Sequence, residues 1–131
     1  MLNVKIITPN GLYKETVASI VNIRSIDGQR GILPNHLPIV TMLEISTLSM
    51  DENGVRELYT ISGGMFYLDD KNNVSILTDS IENVKDIDLN RAKLAKVKAE
   101  KDMHKYDQGK EYINAEMALK RAINRINASE L

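Results

Sequence analysis

Over residues 1–82 the chain alternates apolar and polar positions in short runs, each closed by Gly, Pro, Asn or Asp. That period of two is the signature of half-buried strands. Asn3–Thr8 reads as the first, stopped by Pro9-Asn10-Gly11. Leu12–Glu15 and Val17–Ile26 follow, and Gly28 and Gly31 bracket what reads as a tight turn. Ile32-Leu33-Pro34 and His36-Leu37-Pro38 are extended, because residues before Pro avoid the helical region. Pro also lacks a ladder donor, so this stretch belongs on an edge or in a loop. Val40–Ser49 is a further strand, and Asn53-Gly54 between it and Val55–Ser62 is a strong hairpin signal. Gly63-Gly64 interrupts the run, Met65–Leu68 resumes it, Asp69–Asn73 turns, and Val74–Thr78 closes the series. The two glycines read either as a bulge or as a place where another backbone comes close. Many short strands at close spacing predict a sandwich or a barrel.

Beyond residue 84 the period changes. Asp88 is a good N-cap, and Leu89–His104 contains no Gly, Pro or Thr. Tyr106-Asp107-Gln108-Gly109 breaks the run, and Glu111–Asn127 is a second helix. Ala92, Ala95 and Ala99 fall on one helical stripe, as do Ala115, Ala118 and Ala122. A short connection makes the helices antiparallel neighbours, and facing alanines let the axes approach closely. Each alanine buries a single methyl group, so the hairpin is weakly fastened by its own interface. Leu89, Leu94, Met103, Tyr112, Leu119 and Ile126 then need partners elsewhere. Either a mobile arm or a permanently docked hairpin fits this pattern. The fold class is therefore α+β: a β domain over 1–84 and a helical hairpin over 85–131.

Composition narrows the function classes. Hydrophobic residues are 43% and charged residues 27%, ordinary for a folded soluble domain. The chain has no Cys, which excludes disulfides, zinc–thiolate sites and cysteine nucleophiles. No apolar run nears the roughly 20 residues a spanning helix requires, and the first residues lack the layout of a signal or transit peptide. The net charge of −1 argues against a nucleic-acid binder. It conceals an asymmetry: residues 1–87 hold seven Lys and Arg against eleven Asp and Glu, net −4, and residues 88–131 hold ten against seven, net +3.

No reaction centre is visible. The chain has neither a G-x-S-x-G elbow nor a phosphate-binding G-x-x-x-x-G-K-[ST] loop. His36 and His104 are the only imidazoles, without metal-type spacing. His36 reads as structural beside Pro34 and Pro38, and His104 as a solvated residue at a helix end. Arg121 and Arg125 share a helix face, as do Arg91 and Lys98. If the hairpin folds about residue 107, Arg91 comes level with residue 123, between the two C-terminal arginines. Converging guanidinium groups suit phosphate oxygens, whereas a merely solvated basic face is the plainer reading.

Five motifs in order resemble one family. Gly28 and Gly31 with Ile32-Leu33-Pro34-Asn35-His36 are similar to the G-x-x-G-I-L-P-N-H segment of the ATP synthase epsilon subunit family. Thr8-Pro9-Asn10-Gly11, Ser62-Gly63-Gly64-Met65-Phe66, Val74–Ser80 and Ile87-Asp88-Leu89-Asn90-Arg91-Ala92 resemble its T-P-D-G, S-G-G-F/M, V-T-I-L-A-D-S and I-D-x-x-R-A stretches. The resemblance spans essentially the whole chain. It implies an N-terminal antiparallel β-sandwich, a C-terminal antiparallel two-helix hairpin, and a non-catalytic rotor subunit of the F-type proton-translocating enzyme. Its partners would be the gamma subunit, the c-subunit ring and, through an extended hairpin, the alpha/beta hexamer, on the cytoplasmic side of a cell membrane.

The resemblance also implies sites. No cofactor is required, and ATP is a regulatory ligand in some bacterial members. On their pattern Arg91, Arg121 and Arg125 would contact phosphates, and Glu82, Ile87, Asp88 and Ala92 would form the adenosine side. Lys98 stands where ATP-binding members can carry Arg, keeping the charge without the planar fork. Gln29, Arg30 and Gly31 would touch the c ring, with Gln29 where members commonly carry an acid. The competing expectations are the same subunit without ATP sensing, and a free-standing β-sandwich module binding, for instance, carbohydrate.

Overall fold

The computed structural model describes residues 1–106 and 108–130. Asp107, about which the hairpin was expected to fold, and Leu131 lie outside the described residues. The chain forms two units, Met1–Asn83 and Val84–Leu131.

In the first unit the strands are β1 Leu2–Thr8, β2 Gly11–Ala18, β3 Val21–Ser25, β4 Gly28–Ile32, β5 Ile39–Glu52, β6 Val55–Leu68, β7 Asn73–Leu77 and β8 Ile81–Asn83. They hydrogen-bond in the order β2-β1-β7-β6-β5-β3-β4, with β8 added to β6. All pairs are antiparallel except β1 with β7, which is parallel. Straight strands the length of β5 and β6 would run about 46 Å, whereas a domain of this size is roughly 30 Å across. Both strands therefore serve two layers. Ile39–Leu43 and Gly64–Leu68 pair beside β7, β1 and β2, and Ile45–Glu52 and Val55–Ser62 pair between β8 and β3-β4. The layers close on one core that includes Leu2, Val4, Ile6, Leu48, Phe66 and Ile76. Each large side chain buried there contributes about 1.5–3 kcal/mol relative to exposure.

The glycine pair makes this folding-over possible. The β5–β6 register is the same on both sides of it, Leu43 opposite Gly64 and Ile45 opposite Ser62, so Gly63-Gly64 is not an extra-residue bulge. The close-approach reading holds, and the backbone concerned is the chain's own. Gly63 and Gly64 have φ of 88° and 135°, and a Cβ on Gly64 would overlap the Leu77 carbonyl oxygen.

Other boundaries shift for tertiary reasons. The expected runs Leu12–Glu15 and Val17–Ile26 are instead β2 and β3, divided at Ser19-Ile20, where Ser19 N–H donates to Asp51 O and Asp51 N–H to Ile20 O. Gly28–Gly31 is not a turn. It belongs to β4, paired from Ser25↔Gly28 to Val21↔Ile32, and the turn is Ile26-Asp27. Val55–Leu68 is one strand, and the series ends with β8 rather than at Thr78. The Asn53-Gly54 hairpin is as expected: both residues have positive φ and close a two-residue turn between Glu52 and Val55.

The second unit comprises a 3-10 turn Val84–Asp86, α1 Leu89–Lys105 and α2 Lys110–Ser129. Asp88 caps α1, its Oδ1 accepting from Arg91 N at 3.1 Å. Gly109 stands at the α2 N-cap with φ of 91° and no side-chain cap bond. The helices pack against each other, and the four positions that join them are too few to return the chain for a parallel pair, so they are antiparallel. Only alanines are fully buried on them: Ala92, Ala99, Ala115, Ala122 and Ala128. Ala95 and Ala118 of the expected stripes are half-buried. Leu94 is 71% exposed. No helix among the described residues is long and apolar enough to cross a membrane.

Candidate interaction surfaces and nucleotide site

The outward face of the β2-β1-β7-β6-β5 layer carries a feature that no single segment of sequence shows. Cross-strand pairing aligns Met42 with Met65, Met65 with Leu77, Ile7 with Leu77, and Ile7 with Leu12. Paired residues share a face of a sheet. One apolar row therefore crosses five strands, with Met42 and Leu12 more than half exposed. Val40 and Tyr67, paired two positions along, extend it, and beyond them Ser75, Lys5 and Glu15 turn the face polar. A contiguous apolar patch with a polar rim is the kind of surface that can serve as an interaction site. An open cleft of about 310 Å³ lies on the row, lined by Ile7, Met65 and Leu77 together with Gly63, Gly64 and Asp79.

Gln29, Arg30 and Gly31 are all exposed, on the free edge of the sheet that β4 provides. Their pairing to Arg24, Ile23 and Asn22 occupies one side of the strand. The segment thus presents main-chain groups and one cation rather than the tip of a turn.

A polar cluster joins the layers beneath. Lys14 Nζ donates to Tyr59 OH at 2.7 Å and lies 2.9 Å from Glu52 Oε1. Thr16 Oγ1 donates to the same Glu52 oxygen at 2.8 Å, and Tyr59 OH donates to Oε2 at 2.9 Å. Burial alone would raise the Glu52 pKa, but hydrogen bonds from Lys14, Thr16 and Tyr59 outweigh it and hold the carboxyl below its usual range. Burial alone would lower that of Lys14, and its bonds to Tyr59 and Glu52 reverse the sign. Burial pushes the Tyr59 hydroxyl up. This cluster went unrecognised in the sequence. A bulge between Ile6 and Ile7 in the β1–β2 ladder, which shifts the register from Ile6↔Lys14 to Ile7↔Leu12, is what aims β2 at it.

The nucleotide candidates divide between the units. Glu82 is half-buried on β8, opposite Thr60. Ile87 is half-buried, its N–H donating to Val84 O at 3.3 Å. Asp88 and Arg91 are brought together by the cap, and Ala92 is buried one position on. Arg91 and Lys98 are exposed, whereas Arg121 and Arg125 are half-buried. Arg125 lies three residues from both Ala122 and Ala128, on the buried side of α2, and Arg125 and Glu82 each have an interaction partner. His36 is tied to its loop, Nδ1 lying 2.6 Å from Leu37 O, and His104 is in the last turn of α1. Among the described residues no cluster of acidic or His side chains could hold a metal.

Residues 1–84 match the family model for the ATP synthase delta/epsilon chain β-sandwich domain, and residues 85–130 match that for its long α-helix domain. The chain belongs to the ATP synthase delta/epsilon family. The ATP synthase epsilon chain of Bacillus licheniformis is 38% identical over 128 residues, covering 98% of this chain and 97% of the relative. That of Lactobacillus helveticus is 40% identical, covering 97% and 91%. In solved structures the fold is similar to a chain of the Euglena gracilis mitochondrial ATP synthase (TM-score 0.84, 22% identity, covering 99% of this chain and 81% of that one). It is also similar to a chain of the Tetrahymena thermophila central stalk and c ring (TM-score 0.71, 13% identity, covering 98% and 96%). Membership carries a non-catalytic place in ATP synthase, in keeping with a chain whose features are surfaces.

Proposed function

We propose that this chain is a rotor component of the central stalk, joining the gamma subunit to the c ring at the cytoplasmic face of a cell membrane. The apolar row from Met42 to Leu12 carries the reading, since a solvent-facing strip of this kind asks for a protein partner. Gamma covers the row, and β4 with Gln29, Arg30 and Gly31 meets the polar loops of the c ring. The variants Met42→Glu and Leu77→Glu are the test. Both substituted side chains point outward, so thermal unfolding should shift little while co-purification with gamma drops at least tenfold. Unchanged co-purification would refute the assignment.

We further infer that the hairpin regulates ATP hydrolysis and senses ATP. An interface of alanines leaves the folded hairpin only marginally favoured. Arg91, Arg121 and Arg125 contact the phosphates, and Ile87, Asp88 and Ala92 the adenosine. ATP shifts the hairpin toward its folded form by binding that form preferentially. Without ATP the helices extend into the alpha/beta hexamer and inhibit hydrolysis. Calorimetry with the isolated chain should show binding heat at millimolar ATP, lost in Arg91→Ala/Arg125→Ala. If no heat is seen, the subunit acts without ATP sensing, as a fixed strut.

A further inference from the structure

We propose that Asn72, in the turn between β6 and β7, is a positioning residue that holds the Leu33–Pro38 loop as a pre-shaped knob for a protein partner. The loop carries two prolines and no strand pairing. Its Leu37 is 81% exposed, the most exposed large hydrophobic among the described residues, and Leu33 is also more than half exposed. An apolar loop in solvent gains nothing by being held still, yet this one is held. Asn72 Oδ1 accepts from Asn35 N at 2.7 Å, His36 N–H donates to Leu33 O at 3.2 Å, and His36 Nδ1 lies 2.6 Å from Leu37 O.

Asn72 is itself fixed. Its carbonyl accepts from Asn3 N at 2.8 Å. Its backbone is left-handed, φ 63°, and Asn35 across the bond is left-handed too, φ 67°. Asn tolerates that region better than most residues. Asp69 braces the turn, Oδ1 accepting from Lys71 N and Asn73 N at 2.8 and 2.9 Å, and Oδ2 from Asn73 Nδ2 at 2.9 Å. Two unfavourable backbone conformations joined by one side-chain bond form a bracket between segments 37 residues apart.

Ordering a docking loop in advance lowers the entropy lost on binding. The loop runs directly into β5, whose outward Val40 and Met42 extend and begin the apolar row, so one partner covers knob and row together. The occupant is a protein surface with an apolar socket for Leu37. This rests on the reading that gamma docks on the row, and gamma is the probe.

Asn72→Gly removes the acceptor while keeping the left-handed backbone accessible, and Asn72→Asp restores an acceptor oxygen. In the isolated chain, Asn72→Gly should speed amide exchange at Asn35 while the β5–β6 amides stay protected. Its affinity for purified gamma should fall about threefold to tenfold, the worth of one hydrogen bond, and Asn72→Asp should recover most of it. Unchanged exchange at Asn35 overturns the bracket. Faster exchange with unchanged gamma affinity overturns the docking role. If the natural chain does not bind gamma, the underlying reading fails and the docking role with it, a result separate from the exchange data.

Discussion

Lys14 on β2 and Glu52 on β5 form an ion pair of 2.9 Å that ties the two layers of the sandwich together. Glu52 is nearly buried, whereas Lys14 keeps about a third of its side chain in water. The carboxylate therefore suffers more than the ammonium when the pair is cut. Glu52→Leu leaves Lys14 a route to solvent, while Lys14→Met leaves a buried anion held only by Thr16 and Tyr59. Lys14→Met should cost about 2 kcal/mol, below the full range for a buried pair because one partner is partly solvated. Glu52→Leu should cost less. Urea denaturation of both variants measures the order.

The same cluster sets a pH dependence. The Glu52 pKa is depressed, so its contribution is complete above the ordinary carboxylate range and is lost as pH falls through the folded value. The Lys14 pKa is raised, so its contribution is complete below the ordinary lysine range and is lost as pH rises through the folded value. Asp69, depressed by its bonds from the Asn73 side chain and from the Asn73 and Lys71 N–H groups, adds to the acid limb. Unfolding free energy measured from acid to alkali should therefore show a flat top with both limbs, and Glu52→Leu should flatten the acid one.

Gly64→Ala should be among the most damaging single-methyl changes in the β domain. The new Cβ meets the Leu77 carbonyl, a backbone atom that cannot rotate away, and φ of 135° is strained for any L-residue. A loss of about 3 kcal/mol or more is expected. Gly54→Ala, with a positive φ but open space around it, should cost clearly less. Thermal unfolding of the pair separates steric overlap from backbone strain.

Asp88→Ala removes the side-chain N-cap bond of α1 and should cost about 1 kcal/mol, with fraying of the first turn. Asp88→Asn should be nearly neutral. Amide exchange at Arg91 and Ala92 reads this directly.

Ala122→Leu inserts three carbons where α2 is fully buried, and should cost about 1–3 kcal/mol as the helix is pushed off its contacts. Loss of helical circular dichroism at a lower temperature than in the unaltered chain is the expected outcome. Ile113→Leu, on an exposed position of the same helix, is the control.

Sequence alone fixed whatever depends on a residue and its near neighbours. Asn53-Gly54 demanded its hairpin because both positions need positive φ, and Asp88 announced α1 because its carboxylate reaches the N–H three residues on. The alanine stripes named the hairpin interface, since i, i+3 and i+4 lie on one helix face, and five motifs in order named the family. Adjacency between distant segments was another matter. The parallel β1–β7 pair, the Met42–Leu12 row, the burial of Glu52 by Lys14 and Tyr59, and the Asn72–Asn35 bracket each require a register between strands that no local period specifies. Even the Gly63-Gly64 signal could be resolved only by the Leu77 carbonyl, which the tertiary fold alone brings to it. Local conformation is set by steric preference over a few residues, whereas which strand lies beside which is decided by closing a common core, and the exposed faces of this protein are a product of that closure.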